Sequence, residues 1–327
     1  MKTLAEFKSF YRQALAPTLQ PLEDEREETA SKVTFMRMII VALTLFILAF
    51  EIHFLNKTGW GEDGFKLLFY TVIGSVVLSV TLEAWISSSF KSNFKHMVMD
   101  KVAKFIEPSA DFNASGCISE SVYTSSRLFN NNHERYDGED YVQCRIGESN
   151  IEFSELHTYY YVRTKNGRRR VTVFKGLFLV ADFNKSFKGK TYALPDLAEK
   201  SFGSWIGGML QQASKGYGDV MPMDDPEFEK EFVVYGSDPV EARYILSNSL
   251  MQRMLGYAQK TGKKVRYAFV GSRIFMAIHY NKNLFEPNLY KTLLDEEEVS
   301  QFYEELLLFM SVVEDLNLNT RLWQKGA

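Results

Sequence analysis

The side chains best equipped for chemistry are few and dispersed. Five histidines, His53, His96, His133, His157 and His279, share no H-x-H or H-x-x-x-H spacing, so no two are set to grip one metal. Glu155 and His157 stand two apart in a β-rich run. That spacing puts both on one face of a strand, where they could form an acid/base pair or a plain surface pair. An enzymatic site would need Glu155, His157 and Asp182 to converge on a pocket. Asp137, Glu139 and Asp140 crowd together but lack a calcium loop's spacing and distal Glu, so they read as a solvated turn. Gly189-Lys190-Thr191 ends like a phosphate loop, yet Asn184 stands where the leading glycine is needed, and a strand-like run to Pro195 follows. No G-x-S-x-G elbow is present. Cys117 and Cys144 have no second Cys or His at metal spacing, and both read as thiols of a reducing compartment. The sequence therefore predicts no catalytic residue, no cofactor and no metal.

Binding chemistry is better represented. Lys165, Arg168, Arg169 and Arg170 surround the turn Lys165-Asn166-Gly167. Cations on a rigid turn can meet anionic headgroups or an acidic partner, or simply solvate the tip and discourage edge pairing. Phe202, Trp205, Ile206, Met209 and Leu210 recur at helical spacing among Gly203, Gly207 and Gly208. Such a stripe suits a membrane interface, a partner's groove or the protein's own sheet. Thr71, Ser75 and Ser79 fall at i, i+4 and i+8, where small side chains let another helix approach.

These residues are placed by two apolar runs, Met38–Leu55 and Phe65–Ile86. The first spans about 27 Å as a helix, near the thickness of a bilayer's hydrocarbon core. It starts late, lacks a small-residue cleavage pattern and is followed by a second run, which argues against a signal peptide. Arg26, Lys32 and Arg37 precede the pair, and Lys91, Lys95, Lys101 and Lys104 follow it. The loop 56–64 holds only Lys57 beside Glu62 and Asp63. Both termini are therefore expected in the cytoplasm. The formal charge of −3 gives no general case for nucleic acid.

Four regions are expected: an N-terminal cytoplasmic helical segment (1–37), a transmembrane hairpin (38–86), a helical stalk (87–108) and a cytosolic α+β domain (109–327) with possible subunits 109–196 and 226–327. Residues 2–15 form a basic amphipathic helix for the interface or for the domain. Phe90, Phe94, Val98, Val102 and Ile106 continue a helix that Pro108 stops. Strands are expected at 141–146, 150–154, 157–164, 169–182, 190–194, 229–235, 265–270 and 273–280. Ser214–Asp225 reads as a loop. Asp238-Pro239-Val240-Glu241 reads as a capping box, Ser247–Thr261 as a helix closed by Gly262, and Asp295 as the cap of a final apolar-faced helix.

The segments Phe174–Thr191, Asp225–Ser247 and Glu314–Trp323, with Ile151–His157 and Leu284–Leu289, resemble a bacterial domain family of unknown function, DUF3137. The resemblance implies a bacterial inner-membrane protein with two N-terminal spans and a cytosolic α+β domain, and it lends no functional residues. The expected fold is a two-helix transmembrane hairpin plus an α+β domain whose antiparallel sheet or barrel-like unit carries covering helices. The expected function is a non-enzymatic adaptor or scaffold that binds a protein partner or anionic lipid, with self-association allowed. Alternatives are a membrane-associated enzyme with an unrecognised carboxylate/His site, or an accessory subunit of a membrane complex contacting other spans through Thr71, Ser75 and Ser79.

Overall fold

The computed structural model describes residues 2–129, 132–165, 167–183, 188–196 and 216–318. The chain divides into two compact units. One comprises Leu4–Val98 with Glu286–Gln301; the other comprises Met1–Thr3, Met99–Phe285 and Phe302–Ala327.

In the first unit, α1 (Leu4–Phe10) widens into a π-helical turn over Tyr11–Leu15 and then tightens into a 3-10 turn over Ala16–Thr18. Its apolar face, Phe7, Tyr11 and Leu15, is buried. Tyr11 donates to the Leu293 carbonyl at 2.9 Å, and Arg12 pairs with Glu296. This amphipathic stretch therefore packs on segment 286–301, and its apolar face is already used.

Helix α2 (Gln20–Thr58) starts with Pro21 in its first turn, where a missing N–H costs nothing. Helix α3 (Glu62–Phe94) follows a short loop. Both are long and apolar enough to cross a membrane, and their most apolar windows are only 17% and 0% buried. Phe46 and Trp85 are 73% and 75% exposed, so the apolar faces of both helices are left uncovered by the described residues. The two helices meet along one seam. Thr71 donates to Glu51 at 2.7 Å, Asn93 donates to Glu25, and Arg37 pairs with Glu83. Thr71, Ser75 and Ser79 are half-buried while the residues between them are exposed.

The second unit is built on one nine-stranded antiparallel sheet, ordered β1-β2-β3-β4-β9-β8-β5-β7-β6. The strands are β1 (Asp111–Asn113), β2 (Arg135–Ile146), β3 (Ser149–Thr164), β4 (Gly167–Asp182), β5 (Lys190–Pro195), β6 (Asp219–Val220), β7 (Phe232–Gly236), β8 (Val265–Val270) and β9 (Arg273–His279). The sheet is open, which corrects the barrel-like expectation. Its edges, β1 and β6, have three and two residues, too little backbone to pair and close a barrel.

Among the described residues, this unit carries α4 (Asp100–Ile106), α5 (Glu120–Ser125), α6 (Pro226–Glu231), α7 (Pro239–Ile245) and α8 (Asn248–Thr261), together with the C-terminal part of α9 (Glu296–Met310) and the short α10 (Val312–Asp315). Tyr267 donates to the Met254 carbonyl, Tyr257 donates to the Leu308 carbonyl, and Phe153 meets Phe309 at 5.8 Å, so α8 and α9 cover one face. On the other face Phe178, Val180, Tyr192 and Phe275 pack under Ile118, Tyr123, Leu128 and Tyr217.

Two local expectations are corrected. Residues 226–231 are helical, and the strand there begins only at Phe232. Asp225 caps α6 by accepting from the Glu227 and Phe228 amides, with Pro226 in the first turn. Asp238 caps α7, accepting from Val240 N at 2.8 Å and Glu241 N at 3.2 Å. Glu241 does not complete a capping box; it accepts from the Lys188 and Gly189 amides at 2.7 and 2.6 Å. Asp238→Ala is expected to cost about 1 kcal/mol in chemical denaturation, the usual worth of a lost N-cap. A change below a few tenths would mean that Pro239 alone holds the helix start.

Candidate functional site

The long central hairpin outgrows its sheet. β3 and β4 pair continuously from Ile151↔Ala181 to Thr164↔Gly167. β2 accompanies β3 only as far as Arg135↔Tyr159, and β9 accompanies β4 only from Asp182 back to Gly176. Beyond those points, among the described residues, the two strands pair only with each other and form a β-arm. A bulge between Thr158 and Tyr159 marks its root, where such irregularities add twist. At the tip Gly167 takes φ +120°, and the Thr164 hydroxyl donates to its carbonyl at 2.9 Å. Asn166 lies outside the described residues.

Alternation along the arm sorts its side chains. His157, Tyr159, Tyr161, Arg168 and Arg170 share one face. Arg170 lies over the Tyr159 ring at 5.1 Å and Arg168 over the Tyr161 ring at 5.4 Å. The two tyrosines meet edge to face at 5.7 Å, and His157 contacts Tyr159 at 4.9 Å. A cation–π contact with the phenol rings restrains each guanidinium and does not use up its N–H donors. Arg163, Lys165 and Arg169 add charge, and every residue from Arg163 to Arg170 that is described is exposed. None of Arg163, Lys165, Arg168, Arg169 and Arg170 has a carboxylate partner among the described residues. Burial, then Arg170 and Lys175, push the His157 imidazole below its ordinary value. It is therefore neutral at pH 7, placed at 3.3 Å from the Thr172 hydroxyl.

Glu155, His157 and Asp182 do not converge. Glu155 and His157 do share a face of β3. Asp182, however, follows Ala181 of the Ile151↔Ala181 pair and so lies on the other face, where it accepts from the Asn150 amide and side chain. Glu155 is buried and accepts from the Leu284 amide at 2.6 Å.

Asp137, Glu139 and Asp140 lie in β2 rather than in a solvated turn. Asp140 is fully buried, with φ +60° beside a register shift between Glu139 and Val142. One oxygen from each of Glu139, Asp140 and Glu155 falls within 4.8 Å of the others. Such an all-oxygen set suits a hard cation, but Glu155 has already committed one oxygen to the fold. Sequence spacing could not reveal this trio, because Glu155 joins it across the strand pair.

The thiols are poor nucleophiles: burial raises Cys117 and pushes Cys144 up to about 12. A groove of about 450 Å³ lies over the end of the sheet, crossed by Arg145, Asn150, Asp182 and Arg273. The stripe Phe202, Trp205, Ile206, Met209 and Leu210 lies outside the described residues.

Fold and site together define a class: a hairpin of two span-length helices joined to an open α+β sheet that carries a basic arm. Residues 172–318 match the model of a protein family described as "Protein of unknown function (DUF3137)", and over this stretch the chain resembles that family. The match begins inside β4, so β1, β2, β3 and both long helices fall outside it. No curated protein and no solved structure matches the chain.

Proposed function

We propose that the chain is a non-enzymatic, membrane-anchored adaptor of the bacterial inner membrane, and that the β-arm is its docking element for an acidic segment of a protein partner. The two long apolar helices supply the anchor, with both termini in the cytoplasm as the lysine and arginine bias suggests. The observation that carries the docking role is the set of five arm cations with no acidic partner among the described residues, two of them held over tyrosine rings. Among the described residues, the strand edges beyond Tyr159 and Lys175 also carry no further ladder partner, so an extended acidic peptide could pair with them and a lipid headgroup could not.

The test compares intact protein in neutral micelles with the variant carrying Arg168→Ser, Arg169→Ser and Arg170→Ser. An extended Asp/Glu-rich peptide is the probe. At about 0.5–1 kcal/mol per exposed cation, affinity should fall roughly 10- to 100-fold with the melting temperature unchanged. Equal binding by both proteins would remove the arm from the function. Binding to anionic vesicles without binding to the peptide would move the role to the lipid surface.

A further inference from the structure

We infer that Arg266 anchors a second site, separate from the arm, which takes a small organic oxyanion (a carboxylate or phosphate carried on an apolar body). Arg266 lies on β8 opposite Ala277 of β9. Its guanidinium carbon sits 5.4 Å from the Phe129 ring centre. Phe129 in turn meets Phe174 at 4.9 Å and stacks on Tyr123 at 5.6 Å, so the charge stands in an aromatic surround.

The nearby hydroxyls are committed elsewhere. Tyr217 donates to the Leu128 carbonyl at 2.7 Å, and Tyr123 shares a hydrogen bond with Thr158 at 3.0 Å. The Arg266 guanidinium has no hydrogen bond or ion pair with any described residue. Its nitrogens are nevertheless not among the side-chain atoms sealed from solvent. Burial lowers its pKa, opposed only by Tyr217 and Tyr123. A partly desolvated guanidinium without an acceptor is costly, in contrast to the exposed cations of the arm.

An oxyanion would meet the guanidinium fork with two parallel hydrogen bonds, and aromatic walls suit an apolar body attached to it. His279 stands two residues along β9 from Ala277, on the same face. Its Nδ1 is 3.1 Å from the Lys175 carbonyl, and its Nε2 has no other partner among the described residues. The imidazole therefore offers a further polar contact at the rim. Sequence reading missed Arg266 because an arginine in an alternating strand looks like any solvent-facing residue.

The test is calorimetric titration of the full-length protein with phenyl phosphate, benzoate and inorganic phosphate at matched ionic strength. Saturable binding of phenyl phosphate or benzoate is expected, at least ten-fold tighter than inorganic phosphate. It should weaken at least ten-fold in Arg266→Met and survive in the arm triple variant. The preference between phenyl phosphate and benzoate identifies the oxyanion. No saturable binding at millimolar probe, or equal binding by wild type and Arg266→Met, would overturn the site. Arg266→Lys keeps the charge without the fork and serves if the Met variant does not fold; undiminished binding by it counts against the proposal equally.

Discussion

Glu23→Ala is expected to lower the stability of the unit formed by Leu4–Val98 and Glu286–Gln301 by about 3–5 kcal/mol, because it strands a buried charge. Glu23 and Arg26 are 3% and 9% exposed. The guanidinium grips the carboxylate twice, at 3.0 and 2.8 Å. The same carboxylate accepts from the Thr292 hydroxyl at 2.7 Å and the Leu293 amide at 2.9 Å, while Arg26 donates to the Leu289 carbonyl at 2.8 Å. One acid thus ties α2 to the segment 286–301. Removing it leaves a guanidinium, a hydroxyl and an amide each short of a partner.

Burial pushes the Glu23 carboxyl upward, but the hydrogen bonds from Arg26, Thr292 and Leu293 outweigh it and hold the group below its ordinary 4.5. A group depressed in the folded state contributes its stability above its unfolded value and loses it as pH falls through the folded one. Wild type should therefore lose stability below about pH 4.5, and Glu23→Ala should show less of that loss. Hydrogen exchange at the Leu293 amide reads the contact directly: slow in wild type at pH 7, fast in the variant. A loss under 1 kcal/mol with Leu293 still protected would refute this account of the tie.

Gly176→Ala should damage the sheet unit by about 4–5 kcal/mol, at the upper end for a single substitution. Gly176 sits in β4 between Leu156 of β3 and His279 of β9, with φ +145°. An added Cβ would lie 2.1 Å from the Ile278 carbonyl oxygen and 2.7 Å from the Tyr280 nitrogen. Both are backbone atoms, so no side-chain rotation relieves the clash and β4 must part from β9. Gly256 in α8 is the control. Its Cβ would meet nothing within 4 Å, so Gly256→Ala should stabilise by roughly 0.5–1 kcal/mol through helix propensity. Urea denaturation of both variants decides the matter; similar midpoints would mean that the backbone contact at Gly176 is not a constraint.

Local chemistry was readable in the sequence, and long-range neighbours were not. Alternation marked the strands from Asn150 to Asp182, although the structure fuses two of them into β3. Gly271 and Ser272 both take positive φ, as a tight hairpin turn requires. The Asp-Pro signal that located α7 at 238–239 occurs identically at 225–226. There the reading of 229–235 as a strand hides it, because the β-rich Phe232–Tyr235 follows directly. That β9 inserts beside β4, rather than the sheet curling into a barrel, depends on pairing across distant sequence, which no local pattern reports. Of the arm, the cations were legible from composition, since charge needs no tertiary context. The tyrosine shelf and the unaccompanied strands were not, because they exist only where β2 and β9 stop.

The position of β9 also has a consequence for biogenesis. A ribosome finishes β4 roughly a hundred residues before it finishes the strand that covers β4's edge. Throughout that interval Leu177–Ala181, all buried in the finished fold, form a bare apolar edge able to pair with any extended chain nearby. Any shortened form that ends before Arg273 keeps that edge permanently, so C-terminal truncations should aggregate rather than yield a smaller folded protein.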